Sequence, residues 1–204
     1  MKNFIDTYNV SRETFDRLKA YEASLFEWQK KFNLVSNASL NDCWNRHFLD
    51  SAQLIKYIPQ TARVMYDFGS GAGFPGMVLA IMLKEKTPYL KVRLIESIRK
   101  KTLYLKAVAE LTHADVEIVN DRIENLKVEK ADVITSRAMA SLKELLAYTY
   151  KFCKKETVCI FPKGKKYAEE ILEARRQWNF NVEIFASEQS NEGKILVITG
   201  LNKK

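Results

Sequence analysis

The sequence predicts an α/β fold: a doubly wound, mainly parallel sheet of seven strands whose last strand is reversed, with a helical cap before it. Strand-like and helix-like patterns alternate from residue 64 onward, which favours a parallel sheet covered on both faces. A glycine-rich turn follows the first of these strands, as in nucleotide-binding sheets. Only a polar segment, 187–194, separates the last two strands. It is too short for a parallel crossover, so these strands should pair antiparallel.

Length and composition limit the possible classes of protein. The 204 residues (23.6 kDa, 47% hydrophobic) suit one compact unit, which we divide into a helical extension at 1–60 and a cofactor-binding domain at 61–204. No apolar run approaches the roughly 18 residues of a membrane span, and the first residues lack a signal-peptide pattern. We therefore expect a cytoplasmic monomer without membrane association. Three widely spaced cysteines and two histidines suggest neither disulfides nor a metal site.

Two amphipathic helices are predicted before the sheet. Residues 11–32 have apolar side chains at spacings of three and four, and Ser11 is suited to cap the helix. A second helix is predicted to begin at Ser39 with a capping box and to end at Pro59. These helices are expected to form a cap on the cofactor domain.

The alternating pattern places the remaining elements. Strands are predicted at 64–68, 92–96, 116–119, 131–135, 157–162, 182–186 and 195–199. Helices are predicted at 76–84, 98–112, 139–153 and 165–178. Seven strands with the last reversed is the arrangement of Rossmann-like, class I methyltransferases that use S-adenosylmethionine (SAM).

The turn after the first strand fits two cofactors. Its glycines match the dinucleotide pattern, with Glu96 about twenty residues on, where a ribose-binding acid is expected. Asp67 followed by alternating glycines also matches the first motif of SAM methyltransferases. A carboxylate suits the cationic groups of SAM and would repel a pyrophosphate, so SAM is the preferred cofactor. The candidate cofactor residues here are Asp67, Gly69, Gly71, Gly73 and Phe74.

Other strand ends should meet at the same edge of the sheet, because ligands of such sheets bind beyond the carboxyl ends of the strands. Glu96 and Ser97 follow the second strand, and Glu96 can accept hydrogen bonds from both ribose hydroxyls. Ile123 and Glu124 follow the third and are expected to enclose an adenine. Arg122 beside them either binds RNA or pairs with a carboxylate, and both interpretations stay open.

The fourth and fifth strands end in the candidate catalytic residues Arg137 and Lys163. The chain lacks the Asn/Asp-Pro-Pro-aromatic motif of exocyclic-amine methyltransferases, and its cysteines fall outside the fourth-strand edge. Methylation of a ring nitrogen such as guanine N7 fits better, since N7 bears no proton and needs only positioning and a suitable electrostatic environment. Arg137 can donate to guanine O6 or to the cofactor carboxylate, and Lys163 can hold phosphate or base. A structural ion pair is the alternative for each.

The formal charge of +8 and the pI near 9.3 point to a polyanionic partner, most simply RNA or DNA. Scattered solvated lysines are the alternative explanation. The candidate RNA-binding residues are Arg46, His47, Arg122, Lys163 and Lys165. For His47, a buried structural role and a place on the substrate side both remain possible.

Several motifs together resemble one family. They are Asn33-Leu34, Arg46-His-Phe-Leu-Asp-Ser51, Asp67-Phe-Gly-Ser-Gly-Ala-Gly-Phe-Pro-Gly76, Arg122-Ile-Glu124, Ser136-Arg-Ala138 and Lys163-Gly164. The set resembles the bacterial ribosomal RNA small-subunit methyltransferase G family, formerly glucose-inhibited division protein B, over residues 33–164.

The resemblance implies SAM as cofactor and 16S rRNA, free or in the 30S subunit or its precursor, as partner. It implies methylation of N7 of guanine 527 in the helix 18 loop. Cofactor contacts are implied for Gly69, Phe74, Ile123, Glu124 and Arg137. An NAD-dependent oxidoreductase and a non-catalytic RNA-binding or ribosome-assembly protein are the alternatives.

Overall fold

The computed structural model describes residues 2–204 and shows a seven-stranded sheet with helices on both faces. The strands are β1 Val64–Phe68, β2 Lys91–Ile95, β3 Val116–Val119, β4 Ala131–Thr135, β5 Cys153–Lys163, β6 Trp178–Ala186 and β7 Lys194–Lys203. The α-helices are α1 Lys2–Tyr8, α2 Arg12–Gln29, α3 Asn37–Leu40, α4 Asp50–Ala52, α5 Gly76–Leu83, α6 Arg99–Thr112, α7 Leu142–Tyr150 and α8 Tyr167–Ala174. A π-helical turn, Trp44–Leu49, precedes α4, and 3₁₀ turns cover Gln53–Tyr57 and Ile123–Asn125.

The strand order is β3-β2-β1-β4-β5-β7-β6. β1 to β5 are parallel, and β7 runs antiparallel to both β5 and β6. The order reverses between β1 and β4, and the crevice beyond the carboxyl ends of those strands is where such sheets bind ligands. The predicted fold class is therefore confirmed, including the reversed last strand.

Alternating strand residues build a core on each face of the sheet. Met65 and Val133 face the core that contains α2, α5 and α6, whereas Tyr66 and Ile134 face the core under α7 and α8. The first core is continuous from the cap to the sheet. The division of the chain at residue 60 stays a prediction.

The cap follows the prediction for its first long helix and departs from it for the second. Ser11 caps α2 by accepting a hydrogen bond from the Thr14 N–H. The continuous helix predicted from Ser39 to Pro59 is wrong, because the segment breaks into α3, the π-helical turn, α4 and a 3₁₀ turn. The predicted cap is also wrong, since Ser36 caps α3 and the Ser39 N–H is its donor. Helix α1 was not predicted.

Two predicted helices are shorter in the structure because the strands beside them are longer. The helix predicted over 139–153 ends at residue 150, and Cys153 begins β5 instead of lying in the helix. Backbone pairing explains the boundary, since the Ala131 N–H donates to the Phe152 carbonyl and extends the β4–β5 ladder. The helix predicted over 165–178 spans 167–174, and β6 starts at residue 178.

Among residues 2–204, none of the helices combines the length and the apolar composition that a membrane span requires.

Candidate active site

Two clefts open side by side at the carboxyl end of the sheet. The first, about 540 Å³, lies between the glycine turn and the ends of β2 and β3. The second, about 700 Å³, lies between the cap, the ends of β4 and β5, and the segment joining β6 to β7. Residues 138–140 line both clefts and form the wall between them. We call the first the cofactor cleft and the second the substrate cleft.

Two residues of the glycine turn cannot carry a side chain without strain. Gly69 has φ +67°, and a Cβ there would lie 2.7 Å from Sδ of Met139 in the dividing wall. Gly73 has φ +96°, and its Cβ would collide with the Tyr21 hydroxyl of the cap. Gly69 and Gly71 line the cofactor cleft, as predicted, whereas Gly73 fits the turn against the cap.

Asp67 lies beneath the turn and outside the cofactor cleft. It is fully buried, its Oδ1 accepts from the Thr135 hydroxyl at 2.7 Å, and its Oδ2 accepts from the Gly76 N–H at 3.2 Å. Burial raises the pKa of this carboxyl to about 6, against the opposing effect of these donors. Both oxygens thus join β1, β4 and the start of α5, and the cofactor role assigned to Asp67 from the sequence stays a prediction.

Glu96 lies where the sequence predicts a ribose-binding acid. Its side chain lines the cofactor cleft and accepts two backbone hydrogen bonds, from Gly71 at 2.9 Å and from Ile98 at 2.7 Å. These bonds fix the carboxylate against the glycine turn. Each carboxylate oxygen can accept more than one hydrogen bond, so capacity for hydroxyl donors remains. Exposed Ser97 lines the same cleft.

The end of β3 contributes the opposite side of the cofactor cleft. Ile123 is buried and lines the cleft together with Arg122 and Glu124. Asp121 is held by the Arg122 N–H at 2.7 Å and by the Asn125 amide at 2.8 Å. The structure thus brings an apolar surface and two acids to the position predicted for an adenine.

Arg137 lies just after β4, and its guanidinium contacts three groups of the cap. Its Nη1 donates to the Asp50 carboxylate at 2.8 Å and to the Arg46 carbonyl at 3.0 Å, and its Nη2 lies 2.8 Å from Nδ1 of His47. The π-helical turn presents these groups together. The Asp50 N–H, which would donate to the Arg46 carbonyl in an α-helix, donates to the carbonyls of residues 45 and 47 instead. Arg137 therefore lines the substrate cleft and fixes it to the cap.

The Phe74 side chain packs between the glycine turn and the cap and does not line the cofactor cleft, and the cofactor contact implied for this residue stays a prediction. It is 4% exposed and stacks on His47, with ring centroids 4.7 Å apart, and on Tyr21 at 5.3 Å. The Arg137 guanidinium lies 5.3 Å from the Phe74 ring centroid, in a cation–π arrangement. Phe74 thereby joins the glycine turn to the cap.

His47 is a neutral acceptor for Arg137. Burial, together with the nearby charges of Arg137 and Arg46, lowers the pKa of His47 to about 4. The neutral ring can accept at Nδ1 only in the tautomer with its proton on Nε2. Both alternatives raised for His47 therefore apply, since the residue is buried and also lines the substrate cleft.

Lys163 lines the substrate cleft in an ion pair. Its Nζ donates to the Glu170 carboxylate and to the Ala140 carbonyl, each at 2.8 Å. The structural alternative therefore describes Lys163, which holds the dividing wall. Arg46 lines the same cleft with an exposed side chain, and Lys165 is exposed just beyond it. Arg122 lies at the cofactor cleft, separate from the other predicted RNA-binding residues.

The cofactor cleft fits SAM. Its size lies within the range of small-molecule sites, about 300–1,000 Å³. A Cβ on Gly71 would meet only the Gly69 carbonyl, at 3.8 Å, so the cleft comes directly against this backbone. The Glu96 carboxylate suits ribose hydroxyls, and the apolar side of Ile123 suits an adenine. The acids around the cleft favour a cationic ligand over a pyrophosphate.

Three important residues were not predicted from the sequence. Asp50 holds Arg137, Gln53 binds Asp50, and Met139 covers Gly69. Asp50 belongs to the motif that begins at Arg46, so its sequence signal was present without a role. Gln53 and Met139 carried no signal, because Glu188 and Ser187, which Gln53 contacts, and Gly69, which Met139 covers, lie far away along the chain.

Comparisons with known proteins show the family to which the chain belongs. The family described as rRNA small subunit methyltransferase G matches residues 14–196. Ribosomal RNA small subunit methyltransferase G of Parvibaculum lavamentivorans is 42% identical over 98% of this chain and 89% of its own length. The protein of that name from Orientia tsutsugamushi (strain Ikeda) is 44% identical over 94% and 93%.

Solved structures show the same fold at low sequence identity. The ribosomal protein L11 methylase of Lactobacillus delbrueckii subsp. bulgaricus has a TM-score of 0.60 at 14% identity, covering 74% of this chain and 76% of its own. TYW2 of M. jannaschii in complex with AdoMet has a TM-score of 0.57 at 14% identity, covering 84% and 78%. The fold is therefore that of the class I SAM-dependent methyltransferases, and the chain belongs to the rRNA small subunit methyltransferase G family.

Proposed function

We propose that this protein transfers the methyl group of SAM to N7 of a guanine in 16S rRNA, guanine 527 in the helix 18 loop. The observation that carries the proposal is the pair of adjoining clefts separated only by residues 138–140. One cleft suits SAM, and the other suits a nucleotide. Membership of the methyltransferase G family supports rRNA as the substrate.

The cofactor side needs only binding and orientation from the protein. SAM supplies an electrophilic methyl group on its sulfonium. Glu96 accepts the ribose hydroxyls, and Ile123 packs against the adenine. The backbone at Gly71, where a Cβ would meet only the Gly69 carbonyl at 3.8 Å, leaves room for the ligand beside the glycine turn.

The substrate side needs no general base. Guanine N7 presents a lone pair and loses no proton during methylation, so positioning and electrostatics suffice. Positive charge develops on the base as N7 is methylated. Asp50 offsets the charge of Arg137, and His47 stays neutral. These three residues together therefore add little repulsion toward the positive charge that develops on the base.

The RNA presents its target as an unstacked nucleotide, because N7 must enter the substrate cleft. The net charge of +8 favours association with the phosphate backbone. Arg46 at the cleft and Lys165 beside it are the exposed cations that we assign to phosphate contacts. Either 16S rRNA or the 30S subunit can present such a nucleotide.

Label transfer from methyl-tritiated SAM to 30S subunits and to naked 16S rRNA tests the proposal. We expect one labelled guanine, mapped by borohydride/aniline cleavage and reverse transcription. If the protein binds RNA but transfers no labelled methyl group to either substrate, the proposal is contradicted and a non-catalytic RNA-binding role is favoured. Calorimetry provides an independent check on the cofactor, since NAD binding without SAM binding would contradict the proposal.

A further inference from the structure

The segment that joins β6 to β7, residues 187–193, forms the wall of the substrate cleft opposite Arg137. Ser187, Gln189 and Ser190 line the cleft from this segment. It closes on itself through the Ser187 N–H, which donates to the Gly193 carbonyl at 3.1 Å. Its side chains are neutral and polar at the cleft, which suits contact with a nucleoside in preference to a phosphate.

Gln53 attaches this segment to the cap. The side chain is fully buried, and its Oε1 accepts from the Glu188 N–H at 2.8 Å. Its Nε2 donates to the Asp50 carboxylate at 2.9 Å and lies 3.3 Å from the Ser187 hydroxyl. A buried amide is costly unless it is hydrogen-bonded, and these partners satisfy it with groups from two distant parts of the chain.

Asp50 completes the connection to Arg137. Its Oδ1 accepts from Gln53, and its Oδ2 accepts from Arg137 at 2.8 Å. One carboxylate therefore joins the guanidinium to the amide that holds the 187–193 segment. A second attachment, the ion pair between Lys56 and Glu188, lies on the surface with both side chains nearly half exposed, and such pairs contribute little.

We propose that Asp50 and Gln53 are positioning residues that couple Arg137 to the 187–193 segment, so that the two walls of the substrate cleft are set together. The functional part of this proposal rests on the methyl-transfer function proposed above. Loss of the Gln53 amide frees the segment but leaves Arg137 its contacts with Arg46, His47 and Asp50. Binding of the RNA should then weaken while the chemical step continues.

The test compares Gln53→Leu with Lys56→Ala, which removes the exposed ion pair to Glu188 of the same segment and leaves the Gln53 contacts in place. Amide hydrogen exchange in the SAM-free protein should become at least about tenfold faster at 187–193 in Gln53→Leu and stay unchanged in Lys56→Ala. The KM for rRNA should rise about tenfold in Gln53→Leu, with kcat and the Kd for SAM within about twofold.

Asp50→Asn is the second variant, and it also serves if Gln53→Leu does not fold. Its amide offers one acceptor oxygen to two donors, Arg137 and Gln53, so one of them faces the amide N–H donor to donor, and both kcat and the protection of 187–193 should fall. Unchanged exchange at 187–193 in the folded variants would overturn the coupling. Faster exchange with an unchanged KM would overturn the role of the segment in binding. Exchange needs no substrate, so it tests the coupling even if the wild-type protein methylates no rRNA.

Discussion

The two clefts share a wall but are assembled differently. The cofactor cleft is built mainly from the glycine turn and the ends of β2 and β3, where Glu96 directly follows its strand. The substrate cleft combines the cap, Arg137, Lys163 and the 187–193 segment, and its lining residues Ser36 and Gly193 lie 157 positions apart in the sequence. Parallel strands bring their carboxyl ends together by topology alone, whereas the substrate cleft depends on how the cap and the β6–β7 connection pack.

The difference separates what binding SAM requires from what choosing a substrate requires. The cofactor cleft relies on backbone hydrogen bonds and one carboxylate, which the fold supplies. The substrate cleft relies on a network through Arg137 and Asp50, whose members are on separate elements. Substitutions in the two clefts should therefore change different kinetic constants.

The largest effect is expected at Arg137, where the two clefts meet. Arg137→Ala should reduce the single-turnover rate of methyl transfer by about a hundredfold, since the substrate cleft loses the group that orders its wall. Asp50 and His47 also lose their partner, and we expect unfolding to become easier by about 2 kcal/mol.

Arg137→Lys is the matched control, because it keeps the charge but offers a single point donor to three acceptors. Its rate should lie between wild type and Arg137→Ala. The rate is measured by rapid quench with saturating SAM, and thermal unfolding reports the stability. An unchanged rate in folded Arg137→Ala would remove this residue from the catalytic edge.

Asp67 provides the next largest effect, on stability. Its pKa is about 6 in the folded protein against 3.8 as the ordinary value, so the folded state binds the proton more tightly than the unfolded state. The resulting loss of stability of the folded state is small below about pH 4, grows mostly between about pH 4 and 6, and levels off at about 3 kcal/mol above about pH 7. The difference in unfolding free energy, wild type minus Asp67→Asn, should fall by this amount between pH 4 and 8.

Denaturant unfolding across this pH range measures the difference. His47 changes stability in the opposite direction, because its lowered pKa destabilises the folded state as the pH falls from about 6.5 to about 4, but it is present in both proteins and cancels. Asp121→Asn is the control: the lowered pKa of exposed Asp121 predicts a shift of opposite sign. A difference that does not change with pH would show that Asp67 is not penalised by burial.

The burial of Asp67 shows which features of the site local sequence patterns do not predict. The alternation of strands and helices identified the sheet, its reversed strand and the site of Glu96, since these follow from local patterns. Asp67 and Phe74 were assigned to the cofactor because of their place in the motif, but the structure buries both under the turn. The motif gives residue types and spacing, while the direction of a side chain depends on the cap packed against it.

The prediction of a continuous second cap helix was wrong for a related reason. Its apolar stripe is compatible with a continuous helix, yet the π-helical turn changes the register so that Arg46, His47 and Asp50 surround Arg137. Such a turn is not favoured by local preference. It is stabilised by contacts with residues about ninety positions away, and periodicity within a short window carries no information about them.

A smaller effect, confined to the cofactor cleft, is expected for Glu96→Gln. The amide replaces one acceptor oxygen by a donor, so a ribose hydroxyl or a backbone N–H loses its partner. The Kd for SAM should rise about tenfold by calorimetry, with rRNA binding unchanged. Lys165→Ala should give the reverse pattern, a weaker interaction with rRNA and an unchanged Kd for SAM. Loss of both functions in folded Glu96→Gln would show that the clefts are not independent.

The smallest expected effect is the pH dependence of methyl transfer itself. Between pH 7 and 8.5, His47, with a pKa of about 4, is neutral, and Asp67, with a pKa of about 6, is mostly ionised. Transfer to guanine N7 removes no proton, so the single-turnover rate should vary by less than about twofold over this range. A slope approaching tenfold per pH unit would reveal a titrating base. The substrate cleft would then perform proton transfer as well as positioning, and N7 would no longer be the natural acceptor.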